Sequence, residues 1–176
     1  MGSTAAGPDG VPGSQPGPGP GNWQRRLPAE PGALFAYGTL QFPEVLQALL
    51  RRLPDREPAQ VTGWRVAALG RGRNYPGLVP APGATTAGVL ITGLTAAEWQ
   101  LIDLYEDDFY DLQQLTLTDN RSGLTYTWVD DTQVAPQDWS PQSFADLYLT
   151  EFTQWCRTWR EGYDATGHPG HVTHQL

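Results

Sequence analysis

The chain has 176 residues with 39% hydrophobic and 11% aromatic content, which is enough for one hydrophobic core but short for two ordinary domains. Its formal net charge is −8 and every basic residue is arginine, so no basic stripe exists to attract nucleic acid. A single cysteine excludes an intrachain disulfide, and no apolar run is long enough to cross a bilayer. We therefore expect a cytoplasmic protein without nucleic-acid or membrane partners.

One ordered domain is predicted between two flexible ends. Residues 1–31 are rich in glycine and proline and offer almost nothing to bury, which is typical of a disordered leader. The domain is predicted over residues 32–162. The remaining residues, 163–176, are predicted to form a flexible tail.

The domain is predicted to begin with a strand, a turn and a helix. The apolar run from Leu34 to Tyr37 gives way to Gly-Thr, which is typical of a buried strand that breaks into a turn. Pro43 then suits the first turn of a helix. Apolar side chains follow at helical spacing: Val45, Leu46, Leu49, Leu50 and Leu53.

The middle of the chain predicts two strands and a second helix. The strands are expected at about residues 61–70 and 87–93, joined by an irregular proline-rich loop. Thr95 and Glu98 have the spacing of a capping box, which fixes the start of the helix.

The last third predicts a β-hairpin and a C-terminal helix. The hairpin consists of two β-rich runs around "DNRSG". Ser140 suits the N-cap of the helix and Pro141 its first position, and residues beyond Gly162 are expected to fray. The predicted apolar face comprises Phe144, Leu147, Phe152, Trp155, Cys156 and Trp159. Together these elements predict an α+β fold with about three helices, whose sheet curls into a small barrel.

Several common catalytic centres are excluded. The chain has no G-x-S-x-G or H-E-x-x-H motif, and its only histidines lie in the predicted tail. These are His168, His171 and His174. A terminus interrupted by Pro-Gly is a poor preformed metal site, and no complete G-x-G-x-x-G or P-loop pattern occurs, so we predict neither a metal nor a cofactor. Cys156 lies on the apolar helix face and is expected to pack in the core.

The turn "YGTL" is one candidate binding feature. A glycine between a strand and a helix can expose successive backbone N–H groups, which suit a carboxylate or an oxyanion. Alternatively, this is an ordinary tight turn in which Gly38 supplies only conformational freedom.

The cluster "YEDD" is the other candidate feature. On the helical wheel Glu106 falls between Trp99 and Ile102 on the apolar side, with Asp103 at the margin of the stripe. Desolvation and the like charges of Asp107 and Asp108 are expected to raise the pKa of Glu106, so that it can both take and give a proton. Alternatively, the helix ends near Tyr105 and the cluster is a solvated acidic loop.

These two features belong to a wider resemblance. The segments "YGTLQFPEVLQALL", "GRGRNYPGLVPAPGATTAGVLI", "LIDLYEDDFY" and "TYTWVDD", with the aromatic C-terminal helix, resemble the γ-glutamylcyclotransferase-like superfamily. The similarity is greatest to the branch named after avirulence-induced plant proteins. It implies a small mixed or antiparallel β-barrel with flanking helices, and a cavity between the turn and an acidic residue.

The resemblance also implies roles for individual residues. Glu106 would be the catalytic acid/base, and Tyr110 matches a tyrosine often found four residues after that glutamate. Leu112 stands where many relatives carry an arginine, which leaves the support of the acidic loop open. The substrate-binding turn would consist of Tyr37, Gly38, Thr39 and Leu40.

The implied activity is the release of 5-oxoproline from a γ-glutamyl amine, peptide or acylated metabolite by a monomer or weak dimer. One alternative is an inactive module of the same fold that binds a small ligand, which the leucine at position 112 favours and the retained Glu106 does not. A further alternative is a protein-interaction unit that carries the leader as a fused tail.

Overall fold

A computed structural model of the chain describes residues 26–167. Within this range, no helix is long and apolar enough to cross a membrane. Short 3₁₀ turns lie at Thr39–Gln41 and Asp131–Gln133. The strands and helices are, in chain order, β1 (Leu34–Ala36), α1 (Pro43–Leu50), β2 (Asp55–Leu69), β3 (Gly77–Thr92), α2 (Ala96–Glu106), β4 (Tyr110–Thr116), β5 (Ser122–Trp128), β6 (Val134–Asp138), α3 (Pro141–Leu147) and α4 (Leu149–Thr166).

The strands form one mixed sheet in the order β4-β5-β1-β3-β2-β6. The short strand β1 lies inside the sheet, antiparallel to β3 and parallel to β5. The sheet forms a half-barrel, and its edge strands β4 and β6 do not pair with each other. Side chains from the strands β1, β2, β3, β4 and β5 and from all four helices form one large apolar cluster. The predicted α+β class with flanking helices is confirmed.

The strands β2 and β3 are longer than the sequence predicted. They pair as a hairpin from Asp55 and Thr92 onward, and the irregular loop between them covers only residues 70–76 instead of the expected 71–86. The register shifts after Thr62, where pairing passes from Thr85 to Pro80, so the residues between these two bulge out of β3. A bulge accommodates Pro82 because it requires no ladder hydrogen bond there.

The predicted C-terminal helix is two helices that meet at Tyr148. This break changes the helical phase. Leu147, which was predicted to lie on the apolar face, is therefore 68% exposed. The helix α4 also continues past Gly162, where fraying was expected, and ends at Gly167 with a left-handed φ of 69°. The buried members of the predicted face are Phe144, Phe152, Cys156 and Trp159, and Trp155 is half-buried.

The predicted starts of the helices are confirmed. Pro43 is the first residue of α1. The Thr95 hydroxyl accepts a hydrogen bond from the Glu98 N–H, and the Glu98 carboxylate accepts one from the Thr95 N–H, which completes the capping box. Ser140 caps α3 by accepting from the Ser143 N–H. The capping box of Thr95 and Glu98 fixes the phase of α2, which decides where the carboxylates of this helix point.

The contacts of the domain extend before the predicted boundary at residue 32. Leu27 is half-buried and packs against the large apolar cluster. Arg26 also contacts the domain, as described below. The rest of the predicted leader and the three histidines of the predicted tail lie outside the described residues.

Close packing at Gly77 gives a test of the fold. A Cβ added at Gly77 would lie 2.6 Å from the Cβ of Trp128, whereas one added at Gly70 would meet only the Gln133 carbonyl oxygen at 3.5 Å. We expect Gly77→Ala to lower the free energy of unfolding by about 1–3 kcal/mol, because overpacking forces the neighbours apart. Gly70→Ala is the matched control and should be nearly neutral. Urea unfolding of both variants measures the difference, and equal free energies would contradict the packing described.

Candidate active site

The turn after β1 is shaped by a close approach of the backbone to Pro76. A Cβ on Gly38 would lie 3.0 Å from Pro76 Cγ, so the absence of a side chain lets the two segments touch. The φ of Gly38 is −104°, so the glycine is not required by a left-handed backbone. The Gln41 N–H donates to the Gly38 carbonyl at 3.1 Å and closes the 3₁₀ turn. The first N–H groups of such a turn have no partner inside it, which leaves those of Thr39 and Leu40 available for a ligand.

Glu106 and this turn line one cavity. The cavity has a volume of about 30 Å³. Its lining includes Tyr37, Gly38, Thr39 and Leu40 from the turn, together with Tyr75, Pro76, Glu106, Tyr110 and Tyr126. The structure thus brings all six residues named by the resemblance to the same place, although their roles stay predictions.

A second cavity lies next to Glu106. It also has a volume of about 30 Å³, and it shares Thr39, Tyr75 and Tyr110 with the first. Its other lining residues are mainly aromatic: Tyr105, Asp107, Phe109 and Phe152. Glu106 therefore lines both the cavity beside the turn and the cavity with an aromatic wall.

The helix α2 keeps Glu106 inside the structure. Glu106 is the last residue of the helix, and Asp107 ends it with a left-handed φ of 59°. Asp107 and Asp108 are exposed, whereas Glu106 is half-buried between the two cavities. The alternative of a solvated acidic loop therefore describes the two aspartates but not Glu106.

Burial raises the pKa of Glu106 to about 8. Protein atoms surround its carboxyl group closely even though part of the residue meets solvent through the cavities. The positive charge of Arg26 lowers this pKa and the negative charge of Asp103 raises it. The expected like charges were Asp107 and Asp108, but these side chains point to solvent, so the prediction was right in direction and wrong in that cause.

Four buried tyrosines surround Glu106. Burial raises the pKa of each hydroxyl well above its usual value, and the negative charge of Glu106 adds to this, so they stay neutral around pH 7. Tyr37 donates to the Tyr126 carbonyl at 2.7 Å, and Tyr110 donates to the Pro76 carbonyl at 2.7 Å. The Tyr105 hydroxyl lies 3.1 Å from that of Thr39. These hydrogen bonds hold the walls of the cavity in place. Because the tyrosine hydroxyls are neutral, they add no charge beside the Glu106 carboxyl.

Asp103 is the site residue that the sequence analysis underestimated. It was placed at the margin of the apolar stripe, yet it is only 2% exposed. Its Oδ1 accepts from Arg26 Nε at 2.6 Å and from the Tyr126 hydroxyl at 2.9 Å. No local pattern pointed to this pair, because Arg26 is 77 residues away in the chain and lies in the segment predicted as a leader.

Arg26 also bears on the support of the acidic loop, which the leucine at position 112 left open. Leu112 pairs with Tyr126 across β4 and β5 and packs against the apolar core. The guanidinium of Arg26 lies 5.4 Å from the ring centre of the same tyrosine and donates to the carbonyls of Asp107 and Tyr110. A guanidinium from the N-terminal segment therefore supports the acidic loop.

Other candidate chemistry is not assembled in residues 26–167. In that range no group of three or more His, Cys, Asp or Glu side chains is arranged to hold a metal ion. Cys156 is buried, and burial raises the pKa of its thiol to about 12, which opposes formation of a nucleophilic thiolate.

The sequence matches the family described as "Gamma-glutamyl cyclotransferase, AIG2-like" over residues 34–141. AIG2-like protein C of Arabidopsis thaliana is 34% identical over 125 residues, which cover 69% of this chain and 67% of the relative. AIG2-like protein D of the same plant is 28% identical over 134 residues, covering 74% and 83%. The chain belongs to the AIG2-like γ-glutamyl cyclotransferase family.

Solved structures share the fold. A solution structure of an Arabidopsis thaliana protein matches with a TM-score of 0.55 and 23% identity, over 82% of this chain and 92% of that one. A structure named as a gamma-glutamyl cyclotransferase matches with a TM-score of 0.53 and 15% identity, over the same shares of the two chains.

The raised pKa of Glu106 predicts a specific dependence of stability on pH. A glutamate has an ordinary pKa of 4.5, so between about pH 4.5 and 8 the folded protein keeps a proton that the unfolded chain has released. Stability should therefore fall as pH rises through this window. In Glu106→Gln this loss should disappear, so the difference in unfolding free energy between variant and wild type should shift in favour of the variant by on the order of 2–4 kcal/mol between pH 5 and pH 8.5.

Urea unfolding at pH 5 and pH 8.5 measures this difference. The control is Glu44→Gln, which changes an exposed side chain on α1 and should keep the slope of the wild type. A Glu106→Gln variant with the same pH slope as wild type would show that the carboxyl is ionised in the folded protein.

Proposed function

We propose that this protein is a γ-glutamylcyclotransferase that converts a γ-glutamyl amine or peptide, or a γ-glutamyl-acylated metabolite, into 5-oxoproline and a free amine. The observation that carries the proposal is that Glu106, a carboxyl group with a raised pKa, shares a cavity with the turn formed by residues 38–40. Membership of the family supports it. The small-molecule partner, the monomeric or weakly dimeric state and the cytoplasmic location stay predictions.

The proposed reaction needs one proton carrier. The α-amine of the substrate is an ammonium at neutral pH and cannot attack until a base removes a proton. The carboxylate form of Glu106 takes that proton, and the amine nitrogen then bonds to the γ-carbonyl carbon. When the tetrahedral centre collapses, the bond from this carbon to the departing nitrogen breaks, and Glu106 gives its proton to that nitrogen. The attacking nitrogen loses its second proton to the Glu106 carboxylate or to water, and the departing amine takes up this proton and leaves as an ammonium. Atoms and electrons then balance without an oxidant or a covalent enzyme intermediate.

The raised pKa suits both steps. A group with a pKa of about 8 is present in both protonation states near neutral pH, so it can serve as base and then as acid. Attack within one molecule makes the conformation of the bound substrate a large part of the rate acceleration. This explains how the reaction proceeds without a histidine or cysteine nucleophile.

The two cavities divide the substrate between them. Backbone N–H groups of Thr39 and Leu40, which line the first cavity, would bind the α-carboxylate or the developing oxyanion. The second cavity, with its aromatic wall, would receive the departing amine. Each cavity holds little more than a water molecule, so substrate entry requires side chains to move. Phe109, which is 44% exposed at the edge of the second cavity, is the side chain we expect to move.

The small volume of the cavities favours one second candidate. An inactive module that binds a small carboxylate or amine would need no room for a complete γ-glutamyl amine. The test is a panel of γ-glutamyl compounds with apolar, aromatic and charged amines. Binding of these compounds without release of any cyclised product would support that function.

The enzymatic proposal is tested by 5-oxoproline release from the same compounds. We expect wild type to turn over at least one of them and Glu106→Gln to lose more than ~100-fold in kcat, because the amide keeps the shape but cannot carry the proton. Circular dichroism checks that the variant is folded. The matched control is Asp108→Asn, which neutralises an exposed carboxylate two residues away and should leave turnover within about twofold of wild type. Equal turnover by Glu106→Gln would remove this residue from the mechanism.

A further inference from the structure

Arg26 joins three parts of the loop that carries Glu106. Its Nε donates to the Asp103 carboxylate at 2.6 Å, and its Nη2 donates to the Asp103 carbonyl at 2.8 Å. Its Nη1 donates to the Tyr110 carbonyl at 2.8 Å, and both terminal nitrogens lie 3.2 Å from the Asp107 carbonyl. The arginine side chain is only 16% exposed. One guanidinium thus connects the end of α2 with the start of β4.

These hydrogen bonds stabilise backbone carbonyl groups at a helix end, where few other hydrogen-bond donors are available. The last carbonyl groups of a helix have no partner inside it, and a cation at this end also interacts favourably with the helix dipole. Asp107 has a left-handed φ of 59°, which costs free energy in any residue except glycine. Because Glu106 directly precedes this residue, holding the Asp107 carbonyl fixes the direction in which the Glu106 side chain leaves the helix.

Arg26 also balances a buried charge beside Glu106. Asp103 lies three residues before Glu106 on the same helix, and its carboxylate is paired with Arg26 inside the protein. The two charges act on the pKa of Glu106 in opposite directions. The other ionisable groups that line the two cavities are Tyr37 after β1, Tyr75 before β3, Tyr105 on α2, Tyr110 on β4, Tyr126 on β5 and Asp107 at the helix end. Arg73 also lies nearby, because its Nε donates to the Tyr75 hydroxyl at 2.9 Å and its guanidinium lies 5.6 Å from the ring centre of Phe109. Arg26 is the cation whose charge lowers the pKa of Glu106 and offsets that of Asp103.

We propose that Arg26 is a positioning residue that holds the α2–β4 loop so that Glu106 faces the 38–40 turn, and that neutralises Asp103 beside it. The segment before β1 is thereby part of the functional site. The consequence for catalysis rests on the proposed function, whereas the consequence for Glu106 itself does not.

Three changes in the 176-residue chain separate the effect of the Arg26 charge from the effect of its hydrogen-bond geometry. Arg26→Met removes both the charge and the hydrogen bonds. Arg26→Lys keeps the charge but has a single ammonium that cannot reach all four acceptors. Arg26→Met combined with Asp103→Asn removes both members of the ion pair and leaves no isolated buried charge, so this variant should fold even if the single change does not. The control is Arg121→Met, because Arg121 pairs with Glu57 and Asp119 at the far end of the β4–β5 hairpin.

The first readout is the titration of the Glu106 carboxyl carbon by ¹³C NMR, with the signal assigned from its absence in Glu106→Gln. We expect Arg26→Met to move the midpoint up by about one pH unit or more, because a positive charge is lost while Asp103 remains. The double variant should return toward the wild-type midpoint. Arg26→Lys and Arg121→Met should stay within about 0.3 units of wild type. A midpoint that does not move in Arg26→Met, or that stays raised in the double variant, would overturn the charge-balancing role.

The second readout is kcat/KM for 5-oxoproline release as a function of pH. Arg26→Met should raise the acidic midpoint of the profile with the NMR midpoint, and Arg26→Lys should lose at least about tenfold in kcat at an unchanged midpoint. Wild-type kcat in Arg26→Lys would overturn the positioning role. If the wild-type protein turns over no γ-glutamyl compound, the proposed function fails, and the NMR titration still decides whether Arg26 controls Glu106.

Discussion

The site depends on the burial of the Glu106 carboxyl, which makes no salt bridge with another described residue, because the nearby Arg26 is paired with Asp103. Desolvation disfavours the charged form, so the group holds a proton at a pH where an exposed glutamate has lost it. The surroundings do not offset this desolvation, because the four nearby tyrosines stay neutral. Their hydroxyl groups form hydrogen bonds with the Tyr126 carbonyl, the Pro76 carbonyl, the Asp103 carboxylate and the Thr39 hydroxyl. Any neighbour that supplied a direct positive charge would stabilise the carboxylate and weaken its ability to return a proton.

The helix α2 carries two carboxylates with different environments. Asp103 is paired with Arg26 and bonded by the Tyr126 hydroxyl, so its negative charge is stabilised and its geometry is fixed. Glu106, one turn later, faces two cavities. Such divergent surroundings are the pattern expected where one carboxyl holds structure and the other exchanges protons, which agrees with the role proposed for Glu106. Under that proposal, the small cavity volumes require the aromatic wall to adapt before a substrate reaches Glu106.

The sequence predicts the parts of this site that depend on local patterns. The capping box of Thr95 and Glu98 predicts the phase of α2 and therefore the inward direction of Glu106. The Gly-Thr pattern after a buried strand predicts the turn that lines the same cavity as Glu106. Contacts between distant segments were not predictable in this way. Arg26 looked like part of a leader because the segment around it is rich in glycine and proline, and its partner Asp103 was only marginal on the helical wheel. The bulge in β3 and the break at Tyr148 also depend on tertiary packing, which overrides the local pattern.

The proposed role of Glu106 is tested most directly by a crystal structure of the Glu106→Gln variant with an uncleaved γ-glutamyl amine bound. We expect the substrate α-amine within about 3 Å of the substituted side chain at position 106, and a carboxylate or carbonyl oxygen of the substrate at the N–H groups of Thr39 and Leu40. The departing amine should lie along the wall formed by Phe109 and Phe152. A substrate bound at a site that touches neither residue 106 nor the 38–40 turn would contradict the proposed role.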